Sequence, residues 1–465
     1  MDPLYKNLGS FRDPAGNIYH YENRILRTIN PVAEKQYQFL IDSDLITKSV
    51  DAGFLIRTKE LTSDEIPKPL RDSKYLVEHD VIPHISYPYE WSFFQLKAAA
   101  LHHLDFQLFL LDKGAVLTDA TAYNVQFIGS KPIFIDLLSI AKYKEGQFWN
   151  AHSQFCEQFL NPLLLQSYKG IVHNYWYRGR LEGISTSDLS ALLSFTDKFS
   201  WNVFTHIVLQ AKFERDALAK PARATSKIKS AAKLSKLGYK SLLLQLRKWI
   251  RKLEPKVNVR TVWEKYSITN TYNDDEATKK RNVVIEFSNN NKPEKLIDLG
   301  CNSGDYSFAA LEGGAKTVIG YDFDQKAVDA AFLRSQNNDA NYLPLWLDAA
   351  NPSPSQGWME KERCSFSTRN KADAVIALAF EHHLAIGKNI PLDEVVSWII
   401  SLAPVGLIEF VPKNDETVKT MLAIREDIFP NYTQLSFEKS IQKMAEIVTH
   451  TIISNSGRII YEYKL

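Results

Sequence analysis

The sequence predicts an α/β protein. Its C-terminal part reads as a doubly wound, mostly parallel sheet of seven strands, and an α+β domain precedes it. Three observations carry this. Short apolar runs alternate with helical patterns from residue 295 onward. The first of those runs ends in an acid–glycine turn. A strongly basic stretch at 212–260 separates two blocks of about 210 residues each.

The chain has 465 residues, 45% hydrophobic and 24% charged, which fits two or three globular domains. Gly and Pro, at 19 each, are too few for collagen-like or low-complexity chains. Cys156, Cys301 and Cys364 lie far apart with no CxxC. This excludes a disulfide scaffold and a thiolate zinc site, and it suits a reducing, cytoplasmic setting. No apolar run reaches the ~18 residues of a membrane span. The start, MDPLYKNLGSF, lacks the basic and apolar regions of a secretory signal.

The formal net charge of +2 hides an uneven distribution. Residues 212–260 hold 15 Lys/Arg against 3 acids. They read as a connector (211–260) whose second half is an amphipathic helix with the stripe Leu234, Leu237, Leu242, Leu246, Trp249, Leu253. The stripe is expected to dock on a neighbouring domain. Contact of the basic segment with an acidic surface is the other use such a stretch has.

In the N-terminal block (1–210), DPAGN at 13–17 reads as a hairpin turn and AEKQYQFLIDSDL at 33–45 as a helix. GFLIRTKEL and YLVEHDVIPHISYPYEW read as strands. The helix FFQLKAAALHHLDFQLFLLDKG should end at Gly114 as its cap. In the C-terminal block (261–465) the strands are KLIDLG, TVIGYD, YLPLWLD, DAVIALAF, GLIEFVP, EIVTHTII and RIIYEYK. Helices are expected at Asp305–Leu311, Gln325–Asn337, Leu392–Ala403 and Asp415–Phe429. The last two strands, joined by NSG, should form an antiparallel hairpin at the sheet's edge. Ligands of such sheets sit beyond the carboxyl ends of the strands.

The first strand runs into Asp298-Leu-Gly300-Cys301-Asn302-Ser-Gly304-Asp305. A dinucleotide fingerprint would need glycines at 302 and 305, and a Walker A loop would need GK[ST], so both fail. What remains suits a ligand with a cationic amino acid end. Asp298 can anchor an ammonium, and Gly300 and Gly304 let the backbone come close. Asp322 ends the second strand, where an acid can accept both ribose hydroxyls. Asp348 ends the third, within reach of an adenine amino group.

Together these residues resemble the class I S-adenosylmethionine-dependent methyltransferases. DLGCNSG is similar to their glycine motif, with Asn302 in place of the middle glycine, and GYD (320–322) to their ribose-binding strand end. The resemblance implies S-adenosylmethionine contacts at Asp298, Gly300, Cys301, Asn302, Gly304, Asp322, Phe323, Asp348 and Ala349. It also implies that AFEHHL (379–384) faces the acceptor, with Glu381, His382 and His383 as candidates for taking the acceptor's proton. His382 and His383 are adjacent, so one is expected to face the site and the other to pack. Residues 263–286, with Trp263, Tyr266 and Tyr272, match the place of a segment that often lids the cofactor in that family. No NPPY or DPPY tetrapeptide appears after strand four, so a nucleic-acid acceptor is not expected. A metal-dependent reaction is not expected either, for want of a second acid/His cluster.

In the N-terminal block, Asp119 and Asn124 are followed by Asp136 at the end of PIFID. That order resembles the protein kinase-like fold, in which the first Asp orients a hydroxyl and the other two residues hold magnesium. This implies a possible second cofactor pair, ATP and Mg. The Gly-rich phosphate loop and the usual strand lysine are missing, and Arg27 is the basic residue on a suitable strand. The combined order resembles bacterial methyltransferases related to host-specific nodulation proteins. The resemblance implies a small-molecule or glycan-type acceptor, with the N-terminal domain binding acceptor or regulating access. A bifunctional kinase–methyltransferase and a non-catalytic cofactor-binding scaffold are the competing readings.

Overall fold

The computed structural model describes residues 4–212, 234–256, 274–423 and 425–465. The expected aromatic lid residues Trp263, Tyr266 and Tyr272, and most of the basic connector, lie outside the described residues.

The chain opens with a five-stranded antiparallel sheet. Its strands are β1 (Leu4–Lys6), β2 (Gly16–Tyr21), β3 (Arg24–Ile29), β4 (Thr58–Glu60) and β5 (Tyr75–His79), ordered β1-β2-β3-β5-β4. Helices Glu34–Asp42 and Leu45–Asp51 lie between β3 and β4. The single helix expected at 33–45 stops early because Asp44 takes a left-handed backbone (φ 52°) and a new helix starts behind it. Of the expected strand 53–61, Thr58–Glu60 pairs with β5, and Leu55 makes a single parallel bridge to Phe134. The helix Phe93–Asp112 forms as expected. Its N-terminus is closed by a capping box between Ser92 and Gln95. Two small antiparallel pairs follow, β6 (Ala115–Leu117) with β9 (Ile140–Lys142) and β7 (Val125–Ile128) with β8 (Lys131–Phe134).

The C-terminal sheet has seven strands: β10 (Lys295–Leu299), β11 (Thr317–Asp322), β12 (Tyr342–Trp346), β13 (Ala374–Ala377), β14 (Val405–Phe410), β15 (Glu446–Ile452) and β16 (Ile459–Lys464). Their order is β12-β11-β10-β13-β14-β16-β15. The first five run parallel, and β16 joins β14 antiparallel, so the expected hairpin is the edge. β10 is nearly fully buried, as a parallel strand covered on both faces must be. The helix expected at Asp415–Phe429 ends at Leu422. Lys413 binds the Asp427 carboxylate (2.7 and 2.8 Å) and the Phe429 carbonyl (2.7 Å), which folds that segment back toward the end of β14.

The two sheets share one apolar core. Phe127 meets Phe332 edge-on, with ring centroids 5.9 Å apart. The backbone N–H of Phe94 donates to Asp329 (3.0 Å), and Gln95 donates to the Pro344 carbonyl (2.8 Å). A polar group buried in such a contact must be paired, and these are. The basic helix Lys236–Arg251 lies along Phe93–Asp112. Its buried stripe is Tyr239, Leu243, Leu246, Trp249 and Ile250. The expected docking is correct, but Leu237 of the expected stripe points outward, 75% exposed.

Candidate active site

The strand order sets the ends of β12, β11, β10 and β13 side by side, which gathers the sequence-predicted cofactor residues along one edge. Between β10 and the helix Asp305–Glu312, the turn takes left-handed angles at Gly300 (φ 77°), Asn302 (47°) and Gly304 (90°). Gly304 has a second reason to be glycine: a Cβ there would lie 2.8 Å from the Tyr342 ring. Asn302 takes the angle a glycine would take, which Asn tolerates. The N–H groups of Gly300 and Cys301 both donate to the Tyr321 carbonyl (2.8 and 3.1 Å), which ties the turn to β11.

Asp298 is 1% exposed. Its carboxylate accepts the Ser307 hydroxyl (2.6 Å), and no cation pairs with it among the described residues. Burial pushes its pKa up to about 7. Asp322 accepts the N–H of Asn302 (2.9 Å) and of Asp324 (2.8 Å), and burial raises it to about 6. Two acids held protonatable near neutrality by lack of a positive partner fit a ligand with an ammonium and ribose hydroxyls. The donor set of S-adenosylmethionine is of this kind.

At the ends of β11 and β12, Phe323 is 45% exposed and its carbonyl accepts the Trp346 indole N–H (2.8 Å). Asp348 caps the next turn by accepting the Ala350 N–H (3.2 Å), and Ala349 lies beside it, half-buried. Nothing in the sequence points to the residue that faces this strand end from the N-terminal block. Tyr175, in the helix Asn174–Gly179, meets Trp346 edge-on at 5.1 Å and is 51% exposed. Arg178, on the same helix, donates to the Asn351 side chain (3.0 Å) and the Pro352 carbonyl (2.9 Å).

Beyond β13 the backbone turns sharply at Ala379 (φ 49°), whose N–H donates to Glu409 (2.8 Å). Glu409 is fully buried and pairs with the equally buried Lys280 at 2.7 Å. Neither was foreseen from sequence. Phe380 then packs against Gly300, where a Cβ would meet its ring at 3.1 Å. In the short helix Glu381–Ala385, Glu381 accepts the Val411 N–H (2.9 Å) and the Tyr432 hydroxyl (2.7 Å), and its other oxygen faces His382 Nδ1 (3.1 Å). Glu381 and His382 are buried, whereas His383 is half-buried, its ring 4.0 Å from that of His382. Burial lowers His382 to about 3 and His383 well below its usual value, so both rings are neutral at pH 7.

The N-terminal trio also converges. Asn124 donates to Asp119 (3.3 Å) and Asp136 (3.4 Å). Asp136 is held by Arg27 (2.6 Å) and by the Ser139 hydroxyl, and Arg27 also grips Asp13 (2.7 Å) from the turn before β2. Burial alone would raise Asp136. Arg27 and Ser139 outweigh it and hold the carboxyl below its usual range. Burial raises Asp119. Among the described residues no group of three or more His, Cys, Asp or Glu side chains could hold a metal ion.

The family profile of ribosomal protein L11 methyltransferase (PrmA) matches residues 283–378, which span the glycine turn through β13. Nodulation protein NoeA of Rhizobium meliloti (strain 1021) is 48% identical over 458 residues, covering 98% of this chain and 95% of that one. The ribosomal protein L11 methyltransferase of Shewanella baltica (strain OS155) is 44% identical over 61 residues, 13% of this chain and 21% of that one. Among solved structures, magnesium protoporphyrin IX methyltransferase from Synechocystis PCC 6803 with bound SAH is similar at 19% identity. That match covers 48% of this chain and 95% of that one, with a TM-score of 0.31.

Proposed function

The chain belongs to the family of nodulation protein NoeA and is an S-adenosylmethionine-dependent methyltransferase; on that premise we propose that it methylates an oxygen or nitrogen of a small-molecule or carbohydrate-type acceptor, glycolipids included. The observation that carries the cofactor reading is Asp298: a buried carboxyl with no cation beside it, next to a glycine turn that admits close approach. The bound cofactor supplies an activated methyl on a sulfonium. The chain's own task is to align the acceptor and take its proton. Asp298 receives the ammonium, Asp322 the ribose hydroxyls, and Phe323 and Trp346 the adenine side. Glu409, clamped by Lys280, holds the Ala379 turn that presents the following helix. Within that helix Glu381 and His382 act as positioning residues, tied to Val411 and Tyr432, and His383 is the candidate base because it alone of the three retains open surface.

We assign residues 1–210 to acceptor binding or control of access, 211–260 to the connector, and 261–465 to the catalytic domain. The convergence of Asp119, Asn124 and Asp136 favours a second reading, a kinase-like domain that transfers phosphate. Nucleotide binding lost on Asp136→Ala would support it, and no binding of magnesium-ATP by the intact chain would reject it. The acceptor itself is found by incubating labelled S-adenosylmethionine with fractionated extract and identifying the labelled product by mass spectrometry. Label appearing only on polypeptide or nucleic acid overturns the proposed acceptor class.

A further inference from the structure

Cations on the helix Lys236–Arg251 divide by face. Those at its packed flank are neutralised: Lys240 binds Asp112 (2.7 Å) and Arg247 pairs with Asp105. Those at the outward C-terminal end, Lys248, Arg251 and, just beyond, Lys252, are exposed and have no acidic partner among the described residues. On the same outward face, about one and three turns before Lys248, lie Leu244 (43% exposed) and Leu237 (75%). Beside this face, joined to it by the Gln245–Asn202 hydrogen bond (2.9 Å), sits a second exposed apolar group. Phe195 is 78% exposed, Phe199 73% and Trp201 71%. Phe195 and Phe199 touch edge-on at 4.8 Å, so they already form one patch.

Large aromatic side chains exposed in a group mark a contact surface more often than single exposed ones do. Large aromatic side chains beside unpaired Lys and Arg have a specific fit. The rings settle at the boundary between headgroups and acyl chains, and the cations meet anionic headgroups. An acidic chain without apolar side chains, such as polyglutamate, would satisfy the cations and leave the rings in water. We propose that residues 195–204 and the outer face of Lys236–Arg251 form a docking surface for an anionic lipid bilayer, by surface contact only. No helix among the described residues is long and apolar enough to cross a membrane.

The test is sedimentation of the full chain with vesicles of phosphatidylcholine alone, or of phosphatidylcholine with phosphatidylglycerol, at near-physiological salt. Binding is expected only with the anionic lipid. Phe195→Ser/Phe199→Ser/Trp201→Ser and Lys248→Glu/Arg251→Glu should each weaken it roughly tenfold, while cofactor affinity by calorimetry stays unchanged. Three results overturn the proposal: no sedimentation with either vesicle, full binding by the aromatic triple variant, or preferential capture by polyglutamate over anionic vesicles.

Discussion

The molecule has two acid clusters at strand ends, and they are opposite in electrostatic design. In the C-terminal cluster Asp298 is buried and Asp322 half-buried beside backbone N–H groups and a hydroxyl, with no cation paired to either among the described residues, and both are raised toward neutrality. In the N-terminal cluster Asp136 is clamped by Arg27 and stays ionised, and Arg27 also draws in Asp13. Desolvation without a partner is a cost that a cationic ligand can remove. Desolvation with a partner is already compensated, and a ligand would have to break the pair. The first cluster leaves its acids uncompensated, and the second compensates Asp136 with Arg27.

The largest expected effect is at the first cluster. Asp298→Ala should abolish S-adenosylhomocysteine binding, a loss of at least about 100-fold by calorimetry. Unchanged affinity would break the comparison. At the second cluster, Arg27→Ala should destabilise by about 2 kcal/mol in denaturant unfolding, because it leaves the half-buried Asp136 without its cation. Cofactor affinity should hardly change, and a large loss there would show that the two clusters are coupled. Tyr175→Ala should weaken cofactor binding about fivefold, roughly 1 kcal/mol of aromatic contact, with no loss of stability since Tyr175 is half exposed.

The smallest effect is in pH dependence, and its sign separates the clusters. Raised carboxyls keep protons in the native state that the unfolded chain releases near 3.8, so Asp298 and Asp322 subtract stability as pH climbs from about 4 to about 7. Asp136 is lowered, so its contribution is present throughout that range and is lost only as pH falls below about 3.8. The rise in melting temperature given by S-adenosylhomocysteine should therefore grow between pH 5 and pH 8. A flat profile would mean that the Asp298 carboxyl is not uncompensated.

Much of the catalytic domain was legible because its signals are local. An apolar run ending in Asp298, a turn with Gly at 300 and 304, and acids at 322 and 348 each need only a few neighbouring residues to be read. The convergence of Asp119, Asn124 and Asp136 was likewise foreseen from their order. The pairing of Arg27 with Asp13 and Asp136 was not, nor was Lys280 with Glu409 or Tyr175 with Trp346. These partners are 14 to 171 residues apart. The AFEHHL segment shows the same limit: its sequence supplied three titratable candidates, and only the position of Tyr432 and the Val411 backbone decided that Glu381 is spent on holding structure.

By itself the sequence determined the parallel sheet, its antiparallel edge and the row of acids at the strand ends, because strand alternation and turn chemistry are properties of short stretches of chain. Tertiary structure decided which acids are left without a counter-charge, which histidine keeps open surface, and which face of the basic helix remains uncovered. Those depend on burial and on partners brought from distant segments, and burial sets the energy of a charge far more than its place in the sequence does.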